Sequence, residues 1–135
     1  MSEVVYLDTS AVLRAVLERG LSPAIERQIV SARYVVTSRF SLVESARALH
    51  RMRALDLPED MVDEMAREIA SFWARCTIWE MTSAICQEAA AVAHGQNLRA
   101  LDAIHLATFL RIRRTLDIDI ALISADNRLT QAAAQ

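Results

Sequence analysis

The chain has 135 residues, 53% of them hydrophobic, and a formal net charge of −2, which describes one ordinary domain large enough to bury a real core. No apolar run approaches the roughly 18–20 residues of a membrane span, and Glu3 and Asp8 interrupt the N-terminus where the apolar stretch of a signal peptide would lie; a soluble cytoplasmic protein is expected. The slight negative charge excludes the global basic field that announces many nucleic-acid binders.

The elements are taken in chain order. Val4-Val5-Tyr6-Leu7 is a short, β-branched apolar run that ends in Asp8-Thr9-Ser10, residues able to cap a following helix. Ala11 to about Glu18 reads as that helix, stopping near Gly20. Ser22-Pro23 restarts a helix, with Ser at the N-cap and Pro at the first helical position, running to about Ser31. Tyr34-Val35-Val36-Thr37 is a second strand, and Ser38 or Ser41 opens a long helix to about Leu55. A break at Leu57-Pro58-Glu59-Asp60 begins another helix that reaches about Arg75. Cys76 to Trp79 looks like a third strand, followed by a helix from about Ser83 to His94 and a loop with Gly95 and Asn97. A helix from about Leu101 to Thr115, a strand at Ile120–Ile123 and a short helix near Asp126 complete the chain.

Short strands separated by helices imply parallel crossovers, hence a three-layer α/β/α sandwich around a short central parallel sheet. With only two glycines and two prolines, there is no composition from which to make a linker, so residues 1–135 read as a single domain. Cys76 and Cys86 match neither a zinc knuckle nor a disulfide framework; two reduced, buried thiols are expected. All fifteen cationic side chains are arginine. The guanidinium fork suits phosphate, but genome composition also replaces Lys with Arg, and the bias decides nothing.

In open parallel sheets, ligands bind beyond the carboxyl ends of the strands, and Asp8 and Asp126 each follow a predicted strand there. Either one alone is explained equally well as a helix cap. Glu44 lies on a helix with Phe40 and Ala48 one turn away, which hints at partial burial. Asp102 stands out, because the surrounding run from Ala100 to Ile112, ALDAIHLATFLRI, is apolar on nearly all sides and reads as a buried helix. A buried carboxylate is tolerated only with a partner, a shifted pKa or a metal.

Together, Asp8, Glu44, Asp102 and Asp126 would repel one another and raise each other's pKa values. A divalent cation reverses that cost, and oxygen ligands favour Mg²⁺ or Mn²⁺ over Zn²⁺. Such a cation can activate a water and neutralise a phosphodiester, which an acidic pocket alone would reject. Ser10 and Ser124 stand two residues from Asp8 and Asp126, where their hydroxyls either support a ligating carboxylate or serve as local caps. His105, one turn after Asp102, either orients that carboxylate, acts as a base or is a satisfied core histidine. Arg14, Arg47, Arg51 and Arg99 either line a phosphate path or belong to solvated helix faces.

The segments LDTSAVL from Leu7, LVESARAL from Leu42, LRALDAIHLATFL from Leu98 and LISADNRL from Leu122 resemble, in order and spacing, the PIN-domain family, most of all its VapC toxins. The resemblance covers about Val4 to Leu129. It implies a PIN-like fold and an acidic site of Asp8, Glu44, Asp102 and Asp126 that binds Mg²⁺ or Mn²⁺ for endonucleolytic RNA cleavage. It also implies supporting roles for Ser10 and Ser124, a homodimer, and an antitoxin whose C-terminal segment fills the groove.

Two rivals are weighed beside it. Aspartyl-phosphate phosphotransferases also begin with a strand ending in Asp, but they need a second acid where Ser10 stands, and a lysine, which the chain lacks. The other is a non-catalytic RNA- or partner-binding module with the same fold.

Overall fold

Alternation along the first strand decides the layering. In β1 (Val4–Leu7), Val5 and Leu7 turn to one face of the sheet and Tyr6 to the other, and all three are buried, as in a strand covered on both sides. The computed structural model describes residues 2–93 and 96–135. After β1 come α1 (Thr9–Val16), α2 (Pro23–Ser31), β2 (Tyr34–Ser38), α3 (Arg39–Arg53), α4 (Glu59–Trp73) and β3 (Thr77–Trp79). The chain then forms α5 (Ser83–Ala91), α6 (Ala100–Leu116), β4 (Ile120–Ile123) and α7 (Asn127–Ala133). The expected strands and helices are all found; the predicted helix end at His94 and the loop residue Gly95 lie outside the described residues.

The strands run parallel in the order β3-β2-β1-β4, with Val5 opposite both Val35 and Ala121. On one face, Val12 and Val16 of α1 and Ile69, Phe72 and Trp73 of α4 pack against Val5, Leu7 and Ile123. On the other, Leu106, Phe109 and Ile112 of α6 and Leu129 of α7 pack against Tyr6, Val36 and Ile120. This is the expected three-layer α/β/α sandwich. The chain builds outward from β1 to β3, then returns through α5 and α6 to lay β4 against the free side of β1. Strand order therefore reverses at β1/β4, and the carboxyl ends of those two strands open the crevice in which such sheets hold ligands. Among the described residues, no helix is long and apolar enough to cross a membrane.

Local details depart from expectation in three places. Asp8 itself caps α1, so the helix begins at Thr9 rather than Ala11. Ser22 occupies the N-cap of α2 without capping it; its hydroxyl accepts a hydrogen bond from Arg14 Nη1 at 3.2 Å. Cys86 is exposed rather than buried. Its neighbour Ile85 is the buried residue of α5, and the next position lies about 100° further round the helix.

Candidate active site at the carboxyl edge of the sheet

Asp8 emerges where β1 ends, 4% exposed. Its Oδ1 accepts from the Ala11 backbone N–H at 3.0 Å and from Ser10 Oγ at 2.8 Å, and its Oδ2 accepts from Ser124 Oγ at 2.5 Å. Ser10 also accepts from the Ala125 N–H, and Ser124 from the Asp126 N–H. The two hydroxyls thus tie the ends of β1 and β4 together around one carboxylate. Capping and a supporting role, posed as alternatives in the sequence, coexist here.

Asp126 caps α7, accepting from the Arg128 N–H at 2.9 Å, and its second oxygen faces Arg128 Nη2 at 3.4 Å. Asp102 lies in the first turn of α6 and is only half-buried. Full burial of that helix starts at His105 and runs to Phe109, so the first turn sits past the part that the sheet covers. Burial and then the charges of Asp126 and Asp8 push the Asp102 pKa upward, against weaker pulls from His105 and Arg128. After burial, the repulsion by neighbouring carboxylates raises Asp102, which places Asp8 and Asp126 within its electrostatic reach.

Glu44 behaves differently. Burial works to raise its pKa, but hydrogen bonds from His105 and Thr9 and the charge interaction with His105 outweigh it, and the net shift is downward. Its Oε1 meets Thr9 Oγ1 at 2.5 Å and His105 Nε2 at 2.7 Å. Thr9 follows Asp8 directly in the chain, so Glu44 joins the same strand end through a hydroxyl rather than through carboxylate repulsion. His105 is a buried, satisfied histidine, as one sequence reading held, but its carboxylate partner is Glu44 and not Asp102.

Three residues escaped the sequence reading as site partners: Thr9, Tyr6 and, in its actual pairing, His105. Thr9 carried the only local signal, lying inside the Asp8-Thr9-Ser10 run. Of the arginines considered for a phosphate path, Arg14 pairs with Glu18 at 3.4 Å, while Arg47, Arg51 and Arg99 are exposed.

The donors at this edge are carboxylate and hydroxyl oxygens, the set preferred by hard cations. Among the described residues, no three His, Cys, Asp or Glu side chains form a ready-made metal site. Mg²⁺ commonly takes one or two carboxylates and completes its shell with water and phosphate. The excess negative charge around Asp102 is what such a cation would relieve, so the residues fit it in kind.

Several solved structures are similar in fold. VapC20 from Mycobacterium tuberculosis, described as a sarcin–ricin loop cleaving toxin, has 17% identity and a TM-score of 0.68, over 95% of this chain and 94% of that one. FitAcB from Neisseria gonorrhoeae has 19% identity and a TM-score of 0.65, over 96% and 93%. VapBC2 from Rickettsia felis, bound to a DNA fragment from its promoter, has 12% identity and a TM-score of 0.62, over 91% and 99%. No curated protein sequence matches the chain. The family described as PIN domain matches it from residue 5 to residue 135, across the whole sheet and all the acidic positions just described, and the chain belongs to the PIN-domain family.

Proposed function

We propose that the protein is a metal-dependent endoribonuclease, acting in the cytoplasm as the toxin of a type II toxin–antitoxin pair and silenced by a partner antitoxin. The observation that carries this reading is the gathering of Asp8, Asp102 and Asp126 at the strand-order reversal, close enough to raise the proton affinity of Asp102. The description of VapC20 as a toxin that cleaves the sarcin–ricin loop supports RNA as the substrate class. The antitoxin and a homodimer follow from the family resemblance.

In this reading Asp8, Asp102 and Asp126 hold Mg²⁺ or Mn²⁺, with Glu44 contributing from the other side of Thr9. The cation, when bound, supplies positive charge to the phosphodiester and acidifies a water. Ser10 and Ser124 fix both oxygens of Asp8, so that carboxylate needs little reorganisation. Among the described residues no hydrogen bond reaches the Asp102 carboxylate. Thr9 and His105 keep Glu44 ionised.

A second reading, a non-catalytic module, draws on the lack of a closed three-ligand set among the described residues. Purified protein incubated with RNA in Mg²⁺, in EDTA and as Asp102→Asn separates the two. Cleavage that needs Mg²⁺ and disappears in D102N is expected. Cleavage surviving both treatments defeats the metal mechanism, and no cleavage of any RNA by the wild type favours the module.

A further inference from the structure

A buried polar column runs through the α6 side of the sheet and ends on Glu44. Tyr6 and His105 are 0% and 2% exposed. Tyr6 Oη lies 2.7 Å from His105 Nδ1, and His105 Nε2 lies 2.7 Å from Glu44 Oε1. The imidazole is held edge-on by Tyr6, at 5.9 Å between ring centres, and by Phe40 at 6.2 Å. We infer that His105, set by Tyr6, is a positioning residue that pins Glu44 through Oε1 and leaves Oε2 for the acidic edge. The inference rests on the nuclease reading of that edge.

Proton accounting gives the column a direction. A carboxylate only accepts hydrogen bonds, and a neutral imidazole carries one N–H and one bare nitrogen. Neutral or protonated, the ring therefore presents an Nε2 hydrogen to Glu44; in the neutral form Nδ1 accepts from the tyrosine hydroxyl. A tyrosine keeps its proton at neutral pH, so a hydroxyl is there to donate. The opposite tautomer would set two lone pairs against each other between Nε2 and Oε1 and leave the tyrosine O–H without this acceptor. Glu44 thus selects the tautomer, Tyr6 supplies the matching donor at Nδ1, and the Nε2–H in turn orients Glu44.

The carboxylate that satisfies His105 also takes a second donor. The Thr9 hydroxyl from α1 and the His105 N–H from α6 converge on the same oxygen of a side chain from α3. Among the described residues no hydrogen bond reaches Oε2. Two donors from separate elements, both spent on one oxygen, constrain the carboxylate without consuming its capacity to ligate. Outer partners of this sort typically change metal affinity by about 10–100-fold when removed.

The test uses the full chain, with Mn²⁺ as the probe. Nitrogen NMR of histidine-labelled wild type is expected to place a His105 proton on Nε2, with that preference weakened in Y6F. Mn²⁺ binding followed by electron paramagnetic resonance is expected to weaken by about 10–100-fold in H105A. It should recover in H105Q, whose amide nitrogen reaches the position of Nε2. A wild-type proton on Nδ1 and none on Nε2, or folded H105A with unchanged Mn²⁺ affinity, overturns the inference. If H105A does not fold, the wild-type tautomer decides it: a proton on Nδ1 and none on Nε2 is the overturning result. Wild type that neither binds Mn²⁺ nor cleaves RNA sinks the nuclease reading instead, and the Nε2 proton then still tests whether Glu44 is pinned.

Discussion

Asp102 and Glu44 carry the same charge at the same edge of the sheet, yet their proton affinities move in opposite directions. Burial pushes both upward. What separates them is the company each keeps. Asp102 feels two other carboxylates and, among the described residues, accepts no hydrogen bond, whereas Glu44 has two donors on one oxygen. The lesson is that a cluster of acids is not one electrostatic object: a site can hold one carboxylate in reserve for a cation and stabilise another with the protein's own dipoles.

The comparison breaks first in activity. D102N removes the unsatisfied charge while keeping its shape, and Mg²⁺-dependent RNA cleavage should fall by about 10²-fold or more, the scale of losing one group that stabilises transition-state charge. Wild-type turnover in that variant would take Asp102 out of the site. The next effect is thermal. Mg²⁺ at one hundred times its Kd should stabilise the wild type by about 2.7 kcal/mol, with little gain in D102N; equal gains in both would locate the cation elsewhere.

Asp8 sharpens the contrast from the structural side, because its carboxylate is the hub of the β1/β4 junction. D8A removes the α1 cap and strands the Ser10 and Ser124 hydroxyls, and should cost about 1–3 kcal/mol in denaturant unfolding. An unchanged midpoint would mean that the junction does not depend on the carboxylate. The smallest effect is a pH dependence. The raised pKa of Asp102 means that its ionised form penalises the metal-free fold. D102N should therefore melt above the wild type near neutral pH, and the gain should vanish as pH falls towards the unfolded value of 3.8. Glu44 has the opposite sign: its lowered pKa gives stability above the unfolded value of 4.5 that is lost as pH falls through the folded value. E44Q should melt below the wild type near neutrality, and a melting point equal to that of D102N would erase the distinction.

Much of this was legible before any coordinates, because the signals are local. The β-branched runs at Val4–Leu7 and Ile120–Ile123 mark strands, and an acid just beyond each run marks the carboxyl edge. The nearly continuous apolar stretch of α6 makes Asp102 conspicuous, although its first turn is less buried than that stretch suggests. The partners of Glu44 were not legible. Thr9 and His105 lie 35 and 61 positions away, and no periodicity records which buried polar groups a crossover will bring together. Strand order was hidden for the same reason, since β-branched runs state that strands exist but not which edge each will join.

The strand that completes this edge is also translated after the other three. Asp8 and Ser124 are 116 positions apart, so throughout most of synthesis the first aspartate has neither its serine clasp nor Asp126 beside it. At about 5–20 residues per second, a growing polypeptide spends seconds on the ribosome with an unfinished crevice. For a protein read as an RNA-cutting toxin, the strand order acts as a built-in delay: the blade closes only once β4 has been made.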